Sequence, residues 1–157
     1  MQTTSGLKNQ ATFTGDGVLV VDKPAGFTSH DVVQKVKRRL GAAKVGHSGT
    51  LDPFATGVLV LLINSATKIA PFLADHEKKY VFDVFFGVET DTHDSTGKVV
   101  ARQPCKSLEE REVRAACEAF IGEIEQTVPH YSAVRVKGQR LYQLARRGVE
   151  VTPPKRK

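Results

Sequence analysis

The longest uninterrupted aliphatic run in this sequence, Val58 to Ile63, is six residues long. That is far below the roughly 20 apolar residues a membrane-spanning helix needs. Bounded by turn formers, it reads as a buried strand. A second short run, Gly17 to Val21, is broken by Asp22-Lys23-Pro24-Ala25-Gly26 and reads the same way. The polar start of the chain lacks the apolar segment of a signal peptide, so residues 1–16 are expected to be a flexible leader and no membrane is expected as a partner.

Between these runs the period changes. Val32, Val33, Val36 and Leu40 fall on one helical face, with Lys35, Lys37, Arg38 and Arg39 pointing elsewhere. Either Thr28 or Ser29 can cap this helix, and Gly41 stops it. Residues 44–57 form a Gly-rich loop, and a short helix that Ser65 could cap follows Ile63. Tyr80 to Phe86 alternates around Asp83 and predicts a strand; the polar stretch Glu89 to Gly97 reads as a loop and Val99-Val100 as a return strand. Ser107 and Glu110 match a capping box ahead of a stripe made by Val113, Ala116, Cys117, Phe120 and Ile121, ending at Gly122. Val134 to Val136 predicts a short strand turning at Lys137-Gly138, followed by a helix over Arg140 to Arg147 closed by Gly148, with Val149 to Val151 extended. Strands and helices interleave without the alternation of a doubly wound sheet, which favours an α+β fold.

At 157 residues the chain is the size of one domain. Lys and Arg outnumber Asp and Glu by 23 to 17, a formal charge of +6 that suits a polyanionic partner. Cys105 and Cys117 match neither a metal knuckle nor a redox motif. Both read as structural, which fits a reducing cytoplasm, and Cys117 on the helical stripe is expected to act as a small hydrophobe.

The segment richest in chemical information is Gly46-His47-Ser48-Gly49-Thr50-Leu51-Asp52-Pro53-Phe54-Ala55-Thr56-Gly57, a loop with three glycines around one carboxylate. Such a loop can hold a substrate against a fixed side chain. It can equally be an ordinary connection in which Asp52 sets a turn before Pro53. It lacks the Gly-Lys-Ser/Thr element of a phosphate-binding loop.

This loop, with Ala66-Thr67-Lys68 after it, is similar to the signature loop of the TruB family of pseudouridine synthases. Other segments agree in order and spacing. They are Asp22 to Ser29, Lys79-Tyr80, Gly87 through Thr90-Asp91-Thr92-His93-Asp94 to Gly97, and Pro129 to Ala133 with Gly138, Tyr142 and Ala145-Arg146. The resemblance covers nearly everything from Gly17 to Val151. It implies a catalytic domain with a mixed β-sheet flanked by helices, of which residues 17–157 would be the N-terminal half to two-thirds. The second half and a small RNA-binding domain would be absent.

The resemblance also implies an activity. A uridine in the T stem-loop of tRNA, at position fifty-five, would be isomerised to pseudouridine without metal, nucleotide or redox cofactor. Asp52 would be the catalytic carboxylate, acting as nucleophile at the sugar or as the base leading to a glycal. Tyr80 would stack on the flipped uracil. His47 would take the place left by the flipped nucleotide or contact its neighbours, and Asp94 would orient the active-site loop or the RNA. Lys23 and Pro24 would support the site, and Gly46, Gly49, Thr50 and Arg146 would line the substrate region. Taken alone, Tyr80 is an aromatic at a strand start, His47 a loop imidazole, and Lys23-Pro24 a turn. Asp91, His93 and Asp94 could also suggest a metal-dependent hydrolase, although they lack a distant fourth ligand.

Members of that family are longer, and their second half supplies a basic partner for the aspartate. This chain alone is therefore expected to be inactive and prone to self-association, with no obligatory protein partner. The alternatives are a guide-RNA-dependent relative with the same chemistry and a non-catalytic RNA-binding fragment.

Overall fold

The computed structural model describes residues 12–156 apart from 75, 106 and 133. The chain divides into two compact units, the first ending at Tyr80 and the second beginning at Val81.

The first unit is built on a three-stranded antiparallel sheet. Strand β1, Gly17–Lys23, leads into helix α1, Ser29–Leu40; β2, Val45–His47, and β3, Gly57–Ile63, follow. β3 lies in the centre, paired with β1 from Gly17↔Ile63 to Lys23↔Gly57 and with β2 from Val45↔Ile63 to His47↔Leu61. The aliphatic run Val58 to Ile63 is thus the middle strand, and Leu61 and Leu62, on opposite faces, are both fully buried. Helix α1 packs Val32 and Val33 against Leu59 and Leu61, with Val21, Phe27, Val36, Val45 and Leu51 around them. Burying each of those valines stabilises the unit by about 1.5–3 kcal/mol.

Thr28, rather than Ser29, caps α1. Its hydroxyl accepts from the Asp31 N–H at 3.0 Å, and the Asp31 carboxylate accepts from the Thr28 N–H at 2.9 Å. Asp31 completes the box from the third helical position, a place the sequence pattern usually fills with Glu or Gln. Gly41 ends the helix at φ 61, a left-handed conformation that costs glycine little. After β3 comes a 3-10 turn, Asn64–Ile69, and helix α2, Ala70–Ala74. Ser65 does not cap it; instead the Asp16 carboxylate accepts from the Ser65 N–H at 2.7 Å. Asn64 also ties down the expected leader, donating to the Gly15 carbonyl at 2.7 Å, while residues 1–11 of that leader lie outside the described residues.

The second unit contains β4, Val88–Thr90; β5, Val99–Arg102; α3, Glu110–Glu118; β6, Gln126–Thr127; β7, Arg135–Val136; β8, Gln139–Arg140; α4, Leu141–Arg146; and β9, Lys155–Arg156, which pairs back with β6. The β7–β8 hairpin turns where expected, with Lys137 at φ 49 and Gly138 at φ 81, the positive pair a tight hairpin requires. Leu141 and Leu144 of α4 are buried.

Several expectations are corrected. Tyr80 to Phe86 is not a strand: among the described residues no neighbour pairs with it, and Val81 is 94% exposed and Phe85 81%. A strand forms only where its N–H and C=O groups find a partner, whatever its side chains prefer. The partner of β5 is Val88–Thr90, which takes in Glu89 and Thr90 from the start of the stretch read as loop. Helix α3 is capped by Glu109 with Glu112 rather than by Ser107 with Glu110, and it ends at Glu118. Its apolar stripe faces solvent, so Cys117 is exposed rather than packed. Every strand pair among the described residues is antiparallel, so the mixed sheet implied by the resemblance is not assembled within them. Among the described residues no helix is long and apolar enough to cross a membrane.

Candidate active site

Asp52 lies in the connection between β2 and β3, beside the end of β1. Its carbonyl accepts from the Ala55 N–H at 3.1 Å, closing a turn with Pro53 at the position where a fixed φ suits it. The backbone thus does what an ordinary turn aspartate would do. The side chain does not take part: Asp52 is exposed, and among the described residues nothing donates a hydrogen bond to its carboxylate.

The residues on either side of it are held. Pro53 offers its carbonyl to the Gly26 N–H at 2.7 Å and to Lys23 Nζ at 3.3 Å. Lys23 is fully buried, and Nζ also donates to the carbonyls of Phe27 at 2.7 Å and Pro24 at 3.1 Å. The three protons of a lysine ammonium match three converging carbonyls. Lys23 and Pro24 therefore act through the backbone, fastening the end of β1 to the loop. On the other side, the buried Ser29 hydroxyl accepts from the Leu51 N–H at 2.9 Å and donates to the Leu51 carbonyl at 3.3 Å. Sequence reasoning did not single out Ser29 beyond its use as a possible cap, and only the fold brings it against residue 51.

His47 ends β2 opposite Leu61, and its Nδ1 is buried with no hydrogen-bond partner among the described residues. Gly46 pairs with Leu62, whereas Gly49 and Thr50 lie exposed in the loop. Of the three loop glycines only Gly57, at φ 112, has a backbone that excludes other residues; a Cβ at Gly49 would meet nothing. Tyr80 is 62% exposed at the end of the first unit.

Asp94 and Arg146 belong to the second unit. Asp94 Oδ1 accepts from the hydroxyls of Thr92 and Thr96 at 2.8 and 2.6 Å and from the Thr96 N–H at 2.8 Å. Burial pushes its carboxyl upward, but these donors outweigh that effect and hold it below the usual carboxylate range. Asp91 is spent in the same way, accepting from the Lys98 N–H at 2.8 Å. Both carboxylates knot a loop, and among the described residues no three metal-ligand side chains come together. Arg146 is exposed, its guanidinium 5.6 Å from the Tyr142 ring, which Arg140 approaches to 6.0 Å.

Residues 37–157 match the TruB family pseudouridylate synthase N-terminal domain. The chain is 48% identical over 141 residues to the tRNA pseudouridine synthase B of Shouchella clausii, covering 89% of this chain and 47% of that protein. It is 50% identical over 140 residues to that of Caldicellulosiruptor saccharolyticus, with 89% and 48% covered, and 50% identical over 141 residues to that of Thermotoga petrophila, with 89% and 45% covered. The chain spans about half the length of the curated relatives it matches. A family match over most of the chain, together with these identities, places it in the TruB family of pseudouridylate synthases.

Proposed function

We propose that this chain is the aspartate-bearing, N-terminal part of the catalytic domain of a tRNA pseudouridine synthase. Its substrate is the T-loop uridine at tRNA position fifty-five, and it works without a cofactor, in the cytoplasm. The observation that carries the reading is an unencumbered Asp52 carboxylate on a backbone fastened at both neighbouring residues. A reactive carboxylate must be free to meet the sugar and must also be aimed.

The reaction rearranges atoms without net gain or loss. The bond from uracil N1 to the ribose C1′ breaks, the ring turns, a bond from C5 to C1′ forms, and the C5 proton leaves as N1 gains one. Asp52 assists either by adding to the sugar at C1′ or by removing the C2′ proton to give a glycal, and both roles need it ionised. Tyr80 offers a flat, exposed face on which an extruded uracil can stack. Arg146 at the end of α4, with Arg140 and Arg147 flanking the helix, is exposed and suits phosphate contacts.

Asp52→Asn in the full-length protein tests the reading. It keeps size and polarity and removes the charge. Binding to a T-loop transcript is expected within about threefold of wild type, while the single-turnover rate falls below detection. A variant that still turns over within about tenfold, roughly 1.4 kcal/mol of barrier, would show that Asp52 is not the reactive group.

A further inference from the structure

We propose that Ser29 is a positioning residue for Asp52, acting through Leu51; the inference rests on Asp52 being the reactive carboxylate. Thr28 supplies the helix cap, so the Ser29 hydroxyl is not needed there. Ser29 is 2% exposed, and its one hydroxyl group meets both backbone polar groups of Leu51, accepting from the N–H at 2.9 Å and donating to the C=O at 3.3 Å. In extended backbone the N–H and C=O of one residue point to the same side, and an adjacent strand normally satisfies both. Among the described residues no strand pairs with Leu51, and the serine hydroxyl meets both groups instead.

The consequence reaches Asp52 through one rigid plane. The Leu51 carbonyl belongs to the same planar peptide as the Asp52 N–H, so holding that oxygen fixes where the Asp52 backbone begins. The Leu51 side chain, packed against Val32, Val33, Leu59 and Leu61, fixes the same residue from the core. On the far side, Pro53 narrows the backbone choices of Asp52 toward extended conformations, and the Pro53 carbonyl is held by Gly26 and Lys23. Little beyond its own side-chain torsions is left free at Asp52. Removing Ser29 releases the upstream peptide while the downstream anchor stays, which lets the carboxylate swing about the Pro53 side of the loop. A displacement on the order of 1 Å at a reacting group can cost about a hundredfold in rate.

Ser29→Ala and Ser29→Thr in the full-length protein test this, with Leu51 amide hydrogen exchange followed in the 157-residue chain. The alanine variant is expected to lose about tenfold to a hundredfold in single-turnover rate, with affinity for the T-loop transcript within about threefold and an unshifted pH profile. Threonine, which keeps the hydroxyl, should recover most of the rate. Leu51 exchange should rise at least about tenfold in Ser29→Ala relative to Leu59 and Leu61, the pattern of a local release rather than general loosening. Ser29→Cys fills the same space with a much weaker hydrogen-bonding group and should lose rate like alanine, so the proposal remains testable if Ser29→Ala does not fold. An active wild type whose alanine and cysteine variants turn over within about twofold would overturn the positioning role alone. A wild type that makes no pseudouridine would overturn the proposed activity on which the inference rests, an active Asp52→Asn would overturn the assignment of Asp52, and in either case the Leu51 exchange would still show whether the clamp exists.

Discussion

Replacing Lys23 by Met tests whether the buried amino group, rather than the aliphatic stem, holds the Asp52 loop. Met fills nearly the same volume and keeps the apolar packing, so its effect isolates Nζ. Three carbonyls lose a donor. That of Pro53 keeps the Gly26 N–H at 2.7 Å; those of Pro24 and Phe27 have no other described donor. A buried carbonyl left without a partner costs about 1–3 kcal/mol. Two such groups, partly reachable by water, together with the weakened Pro53 anchor, come to roughly 3–4 kcal/mol. Releasing the lysine from its buried site offsets part of this, since taking an ammonium out of water is itself costly. The expected net loss is about 2–3 kcal/mol, with the Pro53 side of the loop freed.

The assay is urea unfolding of the 157-residue chain, followed through amide exchange at Leu59, Leu61 and Leu62 so that the first unit is read separately from the second. Lys23→Arg belongs in the same series: a planar guanidinium fork cannot meet three carbonyls converging on one nitrogen, so it should recover little stability. If Lys23→Met costs under about 0.5 kcal/mol, the three contacts are satisfied just as well by water, and the fastening of Pro53 from β1 is not what orders the loop.

Acid should weaken both units for a related reason. The Thr28 hydroxyl and N–H hold the Asp31 carboxyl below its usual range, and Thr96 and Thr92 outweigh the upward push of burial at Asp94. A carboxyl with a depressed folded value contributes stability that is fully present above its ordinary value of about 3.9 and is lost as pH falls through the folded value. Melts recorded from pH 7 down to pH 3 should therefore fall below about pH 4, and Asp94→Ala should flatten the fall; equal slopes in variant and wild type would refute the Asp94 contribution. The 157-residue chain is also expected to form no pseudouridine in a T-loop transcript by itself, since the Asp52 carboxylate has no basic partner among the described residues; turnover by this chain alone would contradict that.

What the sequence conveyed about the fold followed how local each determinant was. The cap and stop of α1, the tight turn at Lys137-Gly138 and the central strand at Val58 to Ile63 were readable because each depends on a few adjacent residues or on one apolar run. Tyr80 to Phe86 misled because its composition states how well it would suit a sheet and cannot state whether a neighbouring strand exists. The stripe through Cys117, Phe120 and Ile121 misled for the same reason, since a periodic apolar face describes a surface ready to pack and not the surface that packs on it.

The candidate site divides along the same line. Asp52 stood out because it is the one carboxylate in a Gly-rich loop, a property of neighbouring residues. That its carboxylate is free while its backbone is held could not be read there, because the anchors come from Lys23, Gly26 and Ser29, more than twenty residues upstream. In the sequence, Thr28 and Ser29 are interchangeable hydroxyls before a helix. Folding separates them: Thr28 turns to its own helix, while Ser29 faces the loop, and only then does a residue with no chemistry of its own acquire a bearing on chemistry at Asp52.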